Sequence, residues 1–347
     1  MIKITDVWSL NFNLFVDDVI NNIRSITMVI LDCLNEADHY SLVFNKHDID
    51  RLLNVTQHHN VPVKILTSNC NKNSALAIFS NVSIICWDTF WFERTYRIWL
   101  PHDEYNQTKG IDIKDDNVCK NFELIYPFIC LNNVVKLHRS TVMDMLSKHD
   151  LLRYGAITWR GFSHSKNFTD NYQYKYWKPE ILILDQSLDV KFKQETMPIE
   201  FNHSFMQLVT ESEDTETFFS EKTATPILLN KPFLVATNVG FHLKLEQLGF
   251  QLYTELFDYS FDAETDIVIR YEKIVKNIKH YVELSPTELK QQYDKVIDKI
   301  THNRKLAIKY ATTVPNEIAQ LQLLVEKNNI DYNGPLNKIK YLINGNL

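Results

Sequence analysis

The stretch from Leu208 to Asp262 constrains this chain more than any other. It strings an acidic, hydroxyl-rich loop, a capped helix, a buried strand, a second loop and a second helix into one short run. Ser220 offers a hydroxyl to the free amides of a first helical turn, and Glu221 complements the positive end of the helix dipole. Lys222 falls beside those amides, so an ammonium and backbone N–H groups could share a phosphate there. Simple capping accounts for the same residues, and the local chemistry leaves both open. Pro232 to Ala236 is apolar without alternation, the pattern of a strand covered on both faces.

The N-terminal part alternates strand and helix. Ser25–Leu31, Val61–Leu66 and Val82–Trp87 read as strands, and His47–Asn60 and Asn73–Phe79 as helices. Elements of this length in this order predict a parallel, doubly wound sheet. Ligands of such sheets lie beyond the carboxyl ends of the strands, where Asp32, Glu36, Asp88 and Glu93 fall. Any of these carboxylates could take a proton from an acceptor hydroxyl, and each could equally cap the next turn. Trp87, Phe90, Trp91, Phe92, Tyr96 and Trp99 form a dense cluster with Arg94 and Arg97 interleaved. Such a cluster can stack on sugars or unpaired bases, or it can pack a core.

Residues 101–121 are polar and aperiodic, as a linker or surface loop would be. Beyond them Glu123–Leu131 and Ile157–Trp159 read as strands and Ser140–His149 as a helix. His138 and Arg139 therefore lie at a strand-to-helix turn, where a guanidinium can grip a diphosphate through two parallel hydrogen bonds. Thr169–Lys193 is rich in tyrosine and lysine and reads as an insertion. Helices follow over Asp266–Val282, from the Ser285-Pro286 cap to Tyr310, and over Pro315–Asn328. The expected division is an acceptor-side domain over 1–115, a donor-binding domain over 116–280 and C-terminal helices over 281–347.

Composition excludes several classes. The 347 residues carry a formal charge of −6, so no general attraction to nucleic acid or anionic lipid follows. No apolar run approaches membrane-spanning length, and the five cysteines lack paired spacing, which together read as a soluble, cytoplasmic chain with buried thiols. No Walker loop, Gly-x-Gly-x-x-Gly, nucleophile elbow or Cys-x-x-Cys spacing occurs. His58 and His59, adjacent within a helix, point to different faces, so no metal site is expected.

Ser220-Glu221-Lys222-Thr223, Pro232-Phe233, Gly249-Phe250 and Ser260-Phe261-Asp262 resemble the donor half of GT-B glycosyltransferases, particularly the fucosyltransferase-like group. They resemble still more a set of phage and marine-bacterial proteins with a Thr-Glu-Lys-Thr, Pro-Phe, Gly-Phe, Ser-Tyr-Asp succession. The strand, asparagine-rich turn and His138-Arg139 extend the resemblance over Phe122–Asp262 in two blocks. It implies two Rossmann-like domains with a facing cleft, closed by C-terminal helices. The implied donor is a UDP- or GDP-sugar, with no tightly bound cofactor or metal. Arg139, His138, Ser220, Glu221, Lys222 and Thr223 would hold it, with Glu211 near the sugar and Asp32 or Asp88 as further catalytic carboxylates. The family's Asn-Arg pair is here Asn132-Asn133, so a second basic contact in that turn is missing. The implied acceptor is a glycan or small hydroxylated molecule received by Trp87, Trp91, Arg94 and Arg97. A hydroxymethylated base in phage DNA is the alternative acceptor, in host cytoplasm, and a catalytically silent scaffold the alternative role.

Overall fold

A computed structural model of the chain describes residues 1–6, 11–34, 46–68, 76, 78–96, 123–162, 172–184, 198–330, 332, 334 and 336. Two compact units emerge, Met1–Glu93 with Tyr310–Leu347, and Arg94–Lys309. Each is built on a four-stranded, all-parallel sheet. The α/β class is thus what these residues form, compatible with two Rossmann-like units, although the described strands of the first sheet run in sequence order and not in the doubly wound order expected.

In the first unit β1 (Ile2–Asp6), α1 (Phe12–Asn21), β2 (Met28–Cys33), α2 (Lys46–His58), β3 (Val63–Thr67) and β4 (Val82–Cys86) follow one another, and the strands lie in sequence order. Alternate residues Val29, Leu31 and Cys33 of β2 join Phe12, Val16 and Val19 of α1 and Ile49, Leu52 and Leu53 of α2 in one core. The intervening Ile30 and Asp32 face the other way and are equally buried. A short helix, α3 (Phe90–Arg94), follows β4.

The second unit holds β5 (Tyr126–Val134), α4 (Leu137–Lys148), β6 (Ala156–Phe162), α5 (Ile199–Asn202) and β7 (Ser204–Thr210). It continues through α6 (Glu221–Leu228), β8 (Phe233–Ala236), α7 (Phe241–Gln247), α8 (Ile267–Lys279) and α9 (Pro286–Lys295). Every residue of β7 and β8 is buried, which is why both lack polar alternation. The apolar run Ile181–Leu184 within the Thr169–Lys193 stretch contributes only an antiparallel bridge between Leu182 and Trp159. The long run expected from Ser285 to Tyr310 is two helices, α9 and α10 (Ile297–Thr312), with Ser285 and Glu288 forming a reciprocal capping box. A last helix, α11 (Asn316–Lys327), groups with the first unit, so the residues after 281 are divided between the two.

Cys33 and Cys130 are buried free thiols, whereas Cys86 is exposed at the end of β4 and disulfide-bonded, unlike the buried thiols expected. Cys70 and Cys119 lie outside the described residues. Among the described residues no helix is long and apolar enough to cross a membrane.

Candidate anion site at the carboxyl ends of β5 and β7

The second sheet has the strand order β6-β5-β7-β8. The chain leaves β5 through α4 to one side, then returns to place β7 on the other. Connections leaving β5 and β7 therefore diverge, and the crevice between them is where ligands of parallel sheets sit. The described strands of the first sheet show no such reversal. Across the crevice Thr210 Oγ1 donates to Asn132 Oδ1 at 2.5 Å, tying the two strand ends together.

Glu211 leaves β7 at this point and is fully buried. Its carboxylate accepts from the amides of Ser212 (2.7 Å) and Ser220 (3.0 Å) and from the hydroxyls of Ser220 (2.5 Å) and Thr223 (2.6 Å). The Ser220 oxygen meanwhile accepts from the Lys222 amide at 3.1 Å, so the capping expected of it is realised. The carboxylate of Glu211 thus fills the N-terminal end of α6, the position an external anion would otherwise take. Expected beside a donor sugar, Glu211 instead folds the 212–219 loop back onto α6.

The carbonyl of Glu211 accepts from His138 Nε2 at 2.8 Å and from Arg139 Nη2 at 3.0 Å. A carbonyl only accepts, so Nε2 carries the proton and Nδ1 faces Asp214 Oδ2 at 3.5 Å. Burial pushes the His138 pKa below its ordinary value, which favours the neutral ring. Arg139 is 3% exposed, and its Nη1 donates to the Val134 carbonyl at 3.0 Å. Its donors therefore go to backbone carbonyls rather than forming the open fork expected. Its Nε is buried with no acceptor among the described residues. Burial lowers the Arg139 pKa, against the pull of the Glu221 and Glu211 carboxylates.

Two lysines lie nearer the surface. Lys136 is the N-cap residue of α4, and its Nζ donates to the Ser212 carbonyl and lies 3.4 Å from Glu213 Oε1. Lys222 Nζ donates to Ser212 Oγ at 3.0 Å and pairs with Glu221. Ammonium groups from separate helices thus meet over one serine, with side-chain exposures of 30% and 29%. Burial lowers the Lys136 pKa; Glu213 opposes that shift, and the Arg139 and Lys222 charges add to it.

Compared with models of known families, with curated proteins and with solved structures, the chain matches none.

The remaining expected residues fall elsewhere. Asp32 is fully buried in the first unit and accepts from Tyr332 Oη (2.8 Å) and the amides of Leu336 (2.8 Å) and Leu34 (3.2 Å). Burial pushes its pKa up to about 6. Its carboxylate anchors the C-terminal segment rather than facing an acceptor. Asp88 is half-buried in the turn after β4, and Glu93 is buried. Trp87 and Trp91 are buried too, in edge-to-face contact with Phe90 at 5.3 and 5.9 Å, so they pack as core and offer no exposed platform. Arg94 is half-buried, while Glu36, Arg97 and Trp99 lie outside the described residues.

The other residues of the family-like succession have structural work. Gly249 takes a left-handed φ of 90° at the end of α7, where the Phe250 amide reaches back to the Leu245 carbonyl at 3.0 Å. Asp262 caps α7 by accepting from the amides of His242 (3.1 Å) and Leu243 (3.0 Å) and from His242 Nδ1 (2.9 Å). Lys136, Ser212 and Glu213 are the crevice residues the sequence reading passed over. Lys136 is the basic side chain that follows Asn132-Asn133 in the same connection. Among the described residues no cluster of His, Cys, Asp or Glu could hold a metal.

Proposed function

We propose that the chain is a GT-B-type glycosyltransferase that moves a sugar from a UDP- or GDP-sugar to a hydroxyl of a glycan or small molecule. The observation that carries this reading is the meeting of Lys136 and Lys222 over Ser212 at a strand-order reversal, with Arg139 buried beneath. When the bond to the sugar breaks, negative charge grows on the departing nucleotide diphosphate. Fixed cations at that point stabilise it without reorganising. The ammonium groups supply this from the surface of the crevice, and Arg139 adds its field from behind while holding the Val134 and Glu211 carbonyls in place. The end of α6 contributes less than its sequence suggests, because Glu211 already occupies it. Of the expected catalytic carboxylates, Asp88, in the first unit, is the one with solvent exposure.

A second reading, a catalytically silent binding protein on the same architecture, is favoured by one observation. Asp32 and Glu211 are both wholly engaged in structural hydrogen bonds. Trp87 and Trp91 are core, so they do not offer the stacking surface expected for either acceptor, glycan or modified DNA. Transfer of label from a panel of UDP- and GDP-sugars to hydroxylated acceptors tests the proposal. Turnover of any donor supports it; binding without hydrolysis or transfer supports the silent reading.

A further inference from the structure

The two lysines of the crevice are countered in different ways. Glu221 directly precedes Lys222 at the start of α6, and the two side chains pair within one segment. Glu213 belongs to another segment, and its carboxylate stands 3.4 Å from Lys136 Nζ, longer than the 2.7–2.9 Å usual for a strong charge-assisted hydrogen bond. Its backbone is fixed, because the Glu213 carbonyl accepts from Thr237 Oγ1 at 2.6 Å. Rotation of the Glu213 side chain separates it from Lys136, whose bond to the Ser212 carbonyl is independent of it.

The cations themselves are held at a disadvantage. Ser212 draws both ammonium groups together while offering only a neutral carbonyl and hydroxyl. Arg139, with an unpartnered buried Nε among the described residues, adds a third positive charge close by. A group carrying more than one negative charge would relieve this repulsion better than a single carboxylate.

We infer that Glu213 is an internal stand-in for a ligand phosphate. It occupies Lys136 when the crevice is empty and yields it when a diphosphate bridges Lys136 and Lys222. The source of the diphosphate rests on the transferase reading; the competition between Glu213 and phosphate rests on the geometry alone. Lys136 is thereby a binding residue, and Glu213 sets the affinity.

Titration of the full chain with inorganic pyrophosphate tests this, with melting curves confirming that each variant is folded. Glu213→Gln keeps the side chain's size and removes its charge, so it should tighten pyrophosphate binding about 3- to 5-fold, the yield of losing one partly exposed ion pair. Lys136→Met should weaken binding at least about tenfold, and Glu213→Gln should have no further effect in its presence. Unchanged or weaker binding by Glu213→Gln, or no pyrophosphate binding by the wild-type chain, overturns the inference. If Lys136→Met does not fold, the Glu213→Gln result alone decides. Pyrophosphate behaving as expected while no UDP- or GDP-sugar binds would leave the inference standing and remove the transferase reading. Sugar nucleotides that bind equally to wild type, Lys136→Met and Glu213→Gln would do the reverse.

Discussion

Asp32 and Glu211 invite comparison, since each is a fully buried carboxylate at the carboxyl end of a central strand, β2 in the first unit and β7 in the second. Besides the nearby Leu34 amide, Asp32 receives two donors from a segment about 300 residues away in sequence, through Tyr332 and Leu336. Glu211 receives its donors from residues at most 12 positions away. The first carboxylate ties down a returning chain end. The second shapes a local loop and leaves cations beside it in a crevice that the strand order has opened. A buried acid at a strand end is thus no sign of catalysis by itself; what surrounds it and where the strand order reverses decide what the place can do.

Truncating Glu211 should have the largest effect. Glu211→Ala leaves the Ser220 and Thr223 hydroxyls and the Ser220 amide without their acceptor and takes a negative charge from beside buried Arg139, so we expect a loss of about 3–5 kcal/mol. Urea unfolding measures it, and a loss under about 1 kcal/mol would break the comparison by making Glu211 dispensable.

The first unit should answer to pH instead. Asp32 has a folded pKa of about 6 against an ordinary 3.8, so the native state binds the proton more tightly than the unfolded chain. Its contribution is fully present below about pH 4 and is lost as pH rises through 6, a change of roughly 3 kcal/mol. Asp32→Asn should flatten this part of the profile. Paired unfolding curves at pH 4.5 and 7.5 check it, and identical slopes in wild type and variant would contradict the assignment.

A smaller effect sharpens the account of the second sheet. At Gly155 an added Cβ would run into the Phe128 ring of β5, so Gly155→Ala should cost about 1–3 kcal/mol through overpacking. Phe128→Leu should recover part of that loss in the double variant. Additive losses would mean that the two positions do not share space.

Much of this fold is legible in the sequence where one face or both faces of an element are apolar. β8 appears as a continuous apolar run and β3 and β4 as mostly apolar ones, and α8 and α9 announce themselves through Asp266 and Ser285 at their caps. β7 was hidden because Gln207 interrupts the run, although it is buried. β1 and α1 escaped because Lys3 and Thr5 break the first strand, while acidic Asp17 and Asp18 break the apolar spacing of Phe12, Val16 and Val19. In the candidate site Lys222 and Ser220 were readable from a capping pattern. Lys136 was not, because its meaning depends on Ser212, 76 residues away. Nor does sequence spacing reveal that Arg139 is buried, with its donors turned onto two carbonyls.

The most direct test of the central claim is calorimetric titration of UDP- and GDP-sugars into the wild-type chain and Lys222→Ala. Lys222 is partly exposed and its loss leaves the Ser220 cap intact, so the variant should melt with the wild type. The account predicts saturable binding of at least one sugar nucleotide to the wild type, weakened at least about tenfold in the variant, the usual scale for losing a charged contact to phosphate. Equal affinity in the two proteins, or no binding of any donor to the wild type, would contradict it.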